Sequence, residues 1–150
     1  MKKNVKAMAL AAALILGGAF ILGCSDDDDD DDDWISYNEI PEIAQKEIEN
    51  SFGKLDTIKD IKKDDDSYEI YLNDGTKIDF DFDGKWKEID NNAGIDAKYF
   101  GTDAELEKIK AWADTNHKGK TIEEVDRKPN GFEIDFRGAD PDVFVTSSAL

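Results

Sequence analysis

The 150-residue chain is short of the residues that build covalent frameworks and metal clusters. It contains one cysteine and one histidine, so an intrachain disulfide is excluded and a zinc site is disfavoured. Positive charge is also scarce: 19 Lys and Arg residues stand against 36 Asp and Glu residues, for a formal net charge of −17. Nucleic-acid binding and charge-driven adsorption to anionic lipid both need a basic surface. The composition therefore argues against both.

One long apolar run is present, Ala7–Leu22, and three lysines precede it. This arrangement is typical of a secretory signal peptide, and the run is shorter than the roughly 20 apolar residues of a transmembrane helix. The sequence Ile-Leu-Gly-Cys that ends at Cys24 resembles the lipobox of bacterial lipoproteins. In that class the signal is removed before the cysteine, which then carries the lipid. The resemblance predicts a signal peptide over residues 1–23 and lipidation of Cys24; an uncleaved anchor helix is the alternative.

Cys24 is followed by Ser25 and by eight consecutive aspartates, Asp26–Asp33. Adjacent carboxylates repel one another and stay hydrated, which predicts an extended tether over residues 24–33. The serine and the first aspartates resemble the export signal that carries lipoproteins to the surface of one phylum of Gram-negative gut bacteria. The predicted location is the outer membrane, lipid-anchored and exposed on the cell surface, with a periplasm-facing anchor as the alternative. The residues of this export signal are Ser25, Asp26, Asp27, Asp28 and Asp29.

Residues 34–150 contain an internal repeat. The stretch Thr57–Leu72 resembles Thr121–Phe136 at a constant offset, and each stretch follows a segment with helical spacing of apolar residues. These observations predict an α+β domain made of tandem helix-plus-antiparallel-meander repeats, at about 36–90 and 102–147, with the helices packed on one face of the sheet.

The two predicted helices cover Ser36–Ser51 and Thr102–His117. Each begins with a capping-box pattern, in which a Ser or Thr is followed three residues later by Glu. Gly53 and Gly119 stand where each helix is expected to end.

Alternating apolar and polar residues predict the strands. Asn73-Asp74-Gly75 and Asp83-Gly84 are hairpin signals, and between them Ile78, Phe80 and Phe82 form an apolar row. The polar residues in between are expected on the opposite face, which we predict to bind a partner protein. Without the three lysines that precede the apolar run and the eight consecutive aspartates, the chain has 16 basic and 28 acidic residues. The resulting net charge of −12 favours a basic partner. The candidate residues are Glu69, Tyr71, Lys77, Asp79, Asp81, Glu133, Asp135 and Arg137.

The stretch Asp79–Asp90, DFDFDGKWKEID, fits two templates. Its acids at positions 1, 3, 5 and 12 and its glycine at position 6 match a calcium loop, whereas its alternation matches a strand, a turn and a second strand. The hairpin is favoured, because an EF-hand needs flanking helices and normally has Glu at position 12. Calcium binding remains the alternative, with Asp79, Asp81, Asp83 and Asp90 as ligands.

The motifs Tyr-Glu-Ile-Tyr-Leu at 68–72, Asp-Gly at 74–75 and Asp-Phe-Asp-Phe-Asp-Gly at 79–84, together with Trp86, resemble the PepSY-like family of exported bacterial proteins. Members of that family are similar in fold to the beta-lactamase inhibitor protein. The resemblance implies a binding or inhibitory module with no catalytic residues. No cofactor is predicted. It covers the first repeat well. In the second repeat the segment 137–142 replaces a short turn, so the final strand is expected to be missing or altered.

The predicted function is a lipid-anchored, non-enzymatic protein-binding or inhibitor-like module. A carbohydrate-binding or accessory module of a surface uptake system is a second hypothesis, because the chain has several tyrosines and tryptophans that could stack on sugars. An enzyme is not predicted. The single imidazole, His117, falls at the expected C-terminal end of a helix, where a cation is favoured, and this accounts for it without catalysis.

Overall fold

The computed structural model describes residues 33–55, 58–138 and 141–150. Asp31–Leu150 form a compact unit with a hydrophobic core of its own, the property of a domain that folds independently. The predicted signal peptide, Cys24 and the export signal 25–29 lie outside the described residues. Within the described residues, no helix is long and apolar enough to cross a bilayer.

Eight strands and three α-helices follow one another along the chain, with a 3-10 turn at Tyr37–Glu39 and another at Ser147–Ala149. The helices are α1 (Glu42–Phe52), α2 (Ala97–Phe100) and α3 (Ala104–Asn116). The strands are β1 (Asp33–Trp34), β2 (Ile58–Lys63), β3 (Ser67–Leu72), β4 (Lys77–Asp81), β5 (Trp86–Asp90), β6 (Ile122–Lys128), β7 (Gly131–Phe136) and β8 (Val143–Thr146).

All eight strands belong to one antiparallel sheet, and their order across the sheet is their order in the chain. The prediction of tandem helix-plus-meander repeats is wrong, because β5 pairs directly with β6 through Ile89 and Val125 and so joins both halves in one continuous sheet. The repeated patterns are real features of the sequence, but they do not fold as separate units. Asp33, assigned to the tether, instead begins the edge strand β1 opposite Lys63.

The two hairpin signals behave as predicted. Gly75 and Gly84 each have a φ of 87°, in the left-handed region that glycine adopts without strain. Gly84 is also required sterically, because a Cβ at this position would lie 2.5 Å from the carbonyl oxygen of Ala44 in α1. The turn between β4 and β5 therefore packs directly under the first helix.

The helix starts differ from the predictions by a few residues. The capping box of Ser36 and Glu39 forms, but it heads the 3-10 turn, and α1 starts only after Pro41. Asp103 rather than Thr102 caps α3, since its Oδ1 accepts hydrogen bonds from the backbone N–H groups of Glu105 and Leu106. An aspartate one residue further along is an equally good cap, so the pattern alone does not decide between them.

One continuous core lies between the helices and the sheet. Buried residues of α1 and α3, including Ile48 and Ile109, join alternate residues of the strands, such as Ile70, Ile89 and Ile134. Side chains alternate between the two faces of a strand, so the polar residues between these positions point away from the helices. Phe82 is an exception to the predicted apolar row: it follows the end of β4, is partly exposed, and packs on Tyr68 at a ring distance of 5.1 Å.

Candidate functional site

The polar face of the sheet carries a row of carboxylates that crosses five adjacent strands. Consecutive members of the row are directly opposite one another in the register of β3 to β7. We call this surface the acidic face, and it comprises the row Glu69, Asp79, Glu88, Asp126 and Glu133 together with Tyr71, Lys77, Asp90, Glu124 and Asp135 from the neighbouring row.

Like charges directly opposite one another on a sheet are destabilising. Here they alter the titration of the acids. Burial raises the pKa of Asp79 to about 6, and the neighbouring Glu88 and Glu69 carboxylates act in the same direction. Burial likewise raises the pKa of Asp90 and of Glu124, again with carboxylate neighbours contributing. The acidic face thus concentrates negative charge at a cost to folding.

Lys77 is the cation at the centre of this surface. Its Nζ lies 3.0 Å from Glu88 Oε1 and 3.5 Å from Asp79 Oδ2. Burial alone would lower the pKa of Lys77, but its bond to Glu88 and the surrounding carboxylates outweigh burial and raise it. Asp79 Oδ1 nevertheless remains buried with no hydrogen-bond partner among the described residues. Lys77 therefore offsets only part of the charge.

Tyr71 lies beside this cation, opposite Lys77 in the register. Its hydroxyl donates a 2.6 Å hydrogen bond to Glu69 Oε2, and this bond, with burial, raises the pKa of Tyr71 to about 12. Its ring packs at 6.0 Å from the ring of Trp34, which is largely exposed at the β1 edge. An aromatic pair thus borders the carboxylates on one side. At the other edge, Phe144 of β8 stands opposite Glu133 and is also largely exposed.

Six of the eight predicted face residues are on the acidic face, and the other two are not. Asp81 ends β4, where its Oδ1 accepts hydrogen bonds from the backbone N–H groups of Asp83 and Lys85. Arg137 follows β7 and bonds to Glu123 Oε1 and to the carbonyl of Asn92. Both side chains are engaged locally.

The sequence patterns missed four members, Glu88, Asp90, Glu124 and Asp126. They lie on β5 and β6, where a bulge opposite the Asp79–Phe80 step of β4 and a bulge between Ile122 and Glu124 interrupt simple alternation. Trp86 and Ile89 both point into the core although they are three residues apart, and this spacing was the available signal for a bulge. The pairing of β5 with β6 then brings the missed acids between the predicted ones.

Three of the missed acids come close enough to contact a single cation. Ligand oxygens of Glu88, Glu124 and Asp126 all lie within 4.8 Å of one another. The Nζ of Lys128 already pairs with Asp126 and with Glu133.

The candidate calcium loop Asp79–Asp90 is the hairpin of β4 and β5, as the favoured interpretation predicted. It has no flanking helices. Asp79 and Asp90 belong to the acidic face, while Asp81 is occupied by the turn, so the four proposed ligands do not surround one point.

Other singled-out residues are structural. His117 is the C-cap of α3 and stacks on Phe136 with ring centres 4.4 Å apart. Of the tyrosines and tryptophans considered for stacking on sugars, Trp86 and Tyr99 are buried in the core and are not available for it.

Apart from the acidic face, a cleft of about 300 Å³ lies between α1, α3 and the β4–β5 turn. Arg127 lines this cleft, and its guanidinium lies 4.0 Å from the centre of the Trp86 ring and 2.6 Å from Glu105 Oε2. Arg127 Nε also donates to the carbonyl of Trp86. These contacts tie β6 to β5 and to α3, which is a structural role.

A single antiparallel meander with helices on one side and a carboxylate-lined surface on the other defines an α+β protein built on one antiparallel sheet. The chain belongs to the PepSY-like family: the family model described as "Putative beta-lactamase-inhibitor-like, PepSY-like" matches residues 31–74 and 66–148. The resemblance noted in the sequence is confirmed.

Solved structures share the fold. One, a "putative periplasmic protein of unknown function" from Bacteroides vulgatus, is 22% identical with a TM-score of 0.60, and the match covers 79% of this chain and 94% of that one. Another, a "putative calcium-regulated periplasmic protein" from Bacteroides thetaiotaomicron, is 24% identical with a TM-score of 0.56 over 79% and 92%. A third, also from Bacteroides vulgatus, has 22% identity and a TM-score of 0.54 over 80% and 93%. None of the curated proteins matches the chain.

Proposed function

We propose that the protein is a lipid-anchored, non-enzymatic binding module of the outer membrane, which holds a basic partner protein on its acidic face. The observation that carries the proposal is the row of five opposed carboxylates, from Glu69 on β3 to Glu133 on β7. Opposed like charges lower stability, and proteins break such local rules mainly at functional sites. A cationic surface docked on the row would relieve the repulsion.

Other features support the proposal. Tyr71 lies beside the row, and half-buried tyrosines often anchor protein interfaces. The PepSY-like family is described as inhibitor-like, and the Bacteroides relatives are described as periplasmic, which agrees with an exported chain. The lipobox-like sequence at Cys24 supplies the anchor, and the serine–aspartate segment after it favours exposure on the cell surface.

The test compares the proteins that are captured by the wild-type domain, by a variant of the acidic face and by a control variant. Residues 31–150 serve as bait for detergent-solubilised envelope proteins, in wild-type form and as the double variant Glu88→Gln/Asp126→Asn. The control variant, Glu42→Gln/Glu107→Gln, removes the same charge from α1 and α3. We expect a basic protein to be retained by wild type and control and lost from the face variant.

The rate of association provides a second criterion. Neutralising two carboxylates should mainly slow association, and the effect should shrink as salt rises, because steering by charge is screened. A partner whose capture and association rate are equal for the face and control variants would place the contact elsewhere and refute the proposal.

A further inference from the structure

The two edges of the sheet are protected very differently. At one edge, β2 carries Lys59, Asp60, Lys62 and Lys63, and the short strand β1 covers the last two of these. Charges and short covering strands are common devices that stop other chains from pairing with an exposed edge. At the other edge, β8 reads Val-Phe-Val-Thr and carries no charged residue. This edge lacks the usual protection.

The register shows which backbone groups of β8 point outward. Ser147 N–H donates to the carbonyl of Asn130, and these two residues stand opposite each other one position beyond the Gly131–Thr146 pair. Asn130 and Ser147 are therefore a hydrogen-bonded pair of the antiparallel ladder, and Gly131 and Thr146 are not. Such pairs alternate along a ladder, so Val145 and Val143 are bonded to β7. The N–H and C=O groups of Phe144 and the N–H group of Thr146 therefore point away from β7 and can pair with another strand. The Thr146 carbonyl is engaged at the start of the 3-10 turn Ser147–Ala149.

The surroundings of this edge favour a cationic chain. Phe144 is 52% exposed, and it stands opposite Glu133, the last carboxylate of the row. The next strand would lie about 4.8 Å beyond β8, and its side chain opposite Phe144 would be on the acidic face. A lysine or arginine there could lie over the Phe144 ring and reach Glu133, combining a cation–π contact with an ion pair.

We propose that β8 is a docking edge for an extended, basic segment of a partner protein, which adds to the sheet as a further strand and places a Lys or Arg beside Phe144 and Glu133. The proposal rests on the proposed function, since it names the way in which the basic partner is held. In this arrangement, main-chain hydrogen bonds to β8 supply the affinity, and alternate cationic side chains of the partner supply the specificity.

Thr146 provides a clean variant. Its φ of −70° already suits proline, and its N–H is not bonded to β7, so Thr146→Pro removes one outward donor with little strain. Thr146→Val is the matched control, because it keeps the N–H and loses only the hydroxyl, which contacts Ser148. Far-ultraviolet circular dichroism and urea unfolding verify that both variants fold.

The probe is a fluorescent eight-residue peptide in which lysine alternates with threonine, titrated at low salt onto residues 31–150. We expect Thr146→Pro to weaken binding roughly three- to tenfold, the effect of losing one hydrogen bond, and Thr146→Val to leave it unchanged. A peptide with glutamate in place of lysine should not bind. A lysine peptide N-methylated at alternate residues should bind wild type much more weakly, which tests the edge without any protein variant.

Three results would overturn the proposal. The first is no binding of the lysine peptide to wild type. The second is equal binding to Thr146→Pro and equal binding of the N-methylated peptide; if Glu88→Gln/Asp126→Asn still weakens binding, the acidic face stands and only the edge is rejected. The third is a wild-type dimer in sedimentation that becomes monomeric in Thr146→Pro, which would show that a second copy occupies β8.

Discussion

Asp79 is the residue at which the acidic face lowers the stability of the fold most directly. Its side chain is 16% exposed, and one of its oxygens is buried without a hydrogen-bond partner among the described residues. Its pKa is raised to about 6 by burial and by neighbouring acids, whereas an aspartate in an unfolded chain titrates near about 3.9. Between these pH values the folded state holds a proton that the unfolded state has lost, so stability falls as pH rises through about 6.

Asp79→Asn should remove this dependence. A shift of about two pKa units corresponds to about 3 kcal/mol; this figure already includes the attraction to Lys77, and screening by solvent at this partly exposed site reduces it. We expect the variant to be more stable than wild type by about 1–3 kcal/mol at pH 8 and nearly equal to it at pH 4. Urea unfolding at the two pH values measures this difference. Asp83→Asn, in the exposed turn, is the control, and a wild-type advantage at pH 8 would contradict the interpretation.

Gly84 tests the packing of the β4–β5 turn under α1. Gly84→Ala combines an unfavourable φ of 87° with a Cβ only 2.5 Å from Ala44 O, so it should lower the free energy of unfolding by about 2–4 kcal/mol. Gly75→Ala is a close control, since Gly75 has the same φ and its Cβ would meet nothing nearer than 3.9 Å. It should cost about 1 kcal/mol. Equal losses in the two variants would mean that α1 does not press on the turn.

At the scale of the element, variants of Asp81 in the β4–β5 hairpin distinguish a role in forming the turn from a role in binding calcium. Asp81 Oδ1 accepts two backbone hydrogen bonds, 3.0 Å from Asp83 N and 2.9 Å from Lys85 N. Asp81→Ala should therefore destabilise the protein by about 1–2 kcal/mol, while Asp81→Asn, which keeps the acceptor, should cost less. Thermal unfolding with calcium and with chelator should give the same difference for each variant. A loss seen only with calcium would restore the calcium-loop hypothesis.

The elements were predictable from sequence where the cause is local. Asp-Gly dipeptides specify the two hairpins because the turn itself demands a left-handed φ. Alternation in β3 and β4 gave the faces of Glu69, Tyr71 and Asp79 for the same reason.

Long-range pairing was not predictable in this way. No local pattern states that β5 pairs with β6 across α2 and α3, and that pairing is what replaces two repeats by one sheet. The bulges on β5 and β6 also shift the phase of alternation, so Glu88 and Asp126 could be assigned to the acidic face only once the register was known.

At the scale of the whole molecule, the anchor is the first prediction. Cys24→Ala should abolish lipidation, because the thiol is the only one in the chain. Mass spectrometry and fractionation of the cells should find the variant without lipid and released from the membrane. Membrane retention with an unchanged lipid mass would contradict the lipobox assignment.

Surface exposure is a separate prediction. Externally added protease should digest the protein on intact cells. Replacing Asp26, Asp27, Asp28 and Asp29 by alanine should make it resistant while lipidation persists. Replacing Asp30 and Asp31 instead is the control for a general loss of charge. If the wild type and the variant lacking Asp26, Asp27, Asp28 and Asp29 are equally sensitive to protease, the aspartate tract is only a linker.

The strand order also bears on how the chain reaches this state. Each strand pairs with its predecessor in sequence, and only the β1–β2 step, across α1, and the longer β5–β6 step, across α2 and α3, span long connections. Loop-closure entropy is therefore small at most steps, and a low relative contact order favours fast folding for a sheet protein. A chain delivered unfolded and N-terminus first could add strands one after another as it emerges. Its rate-limiting step should then be the closure that joins β6 to β5, which makes the contact of Ile89 with Val125 the place to look for slowed folding.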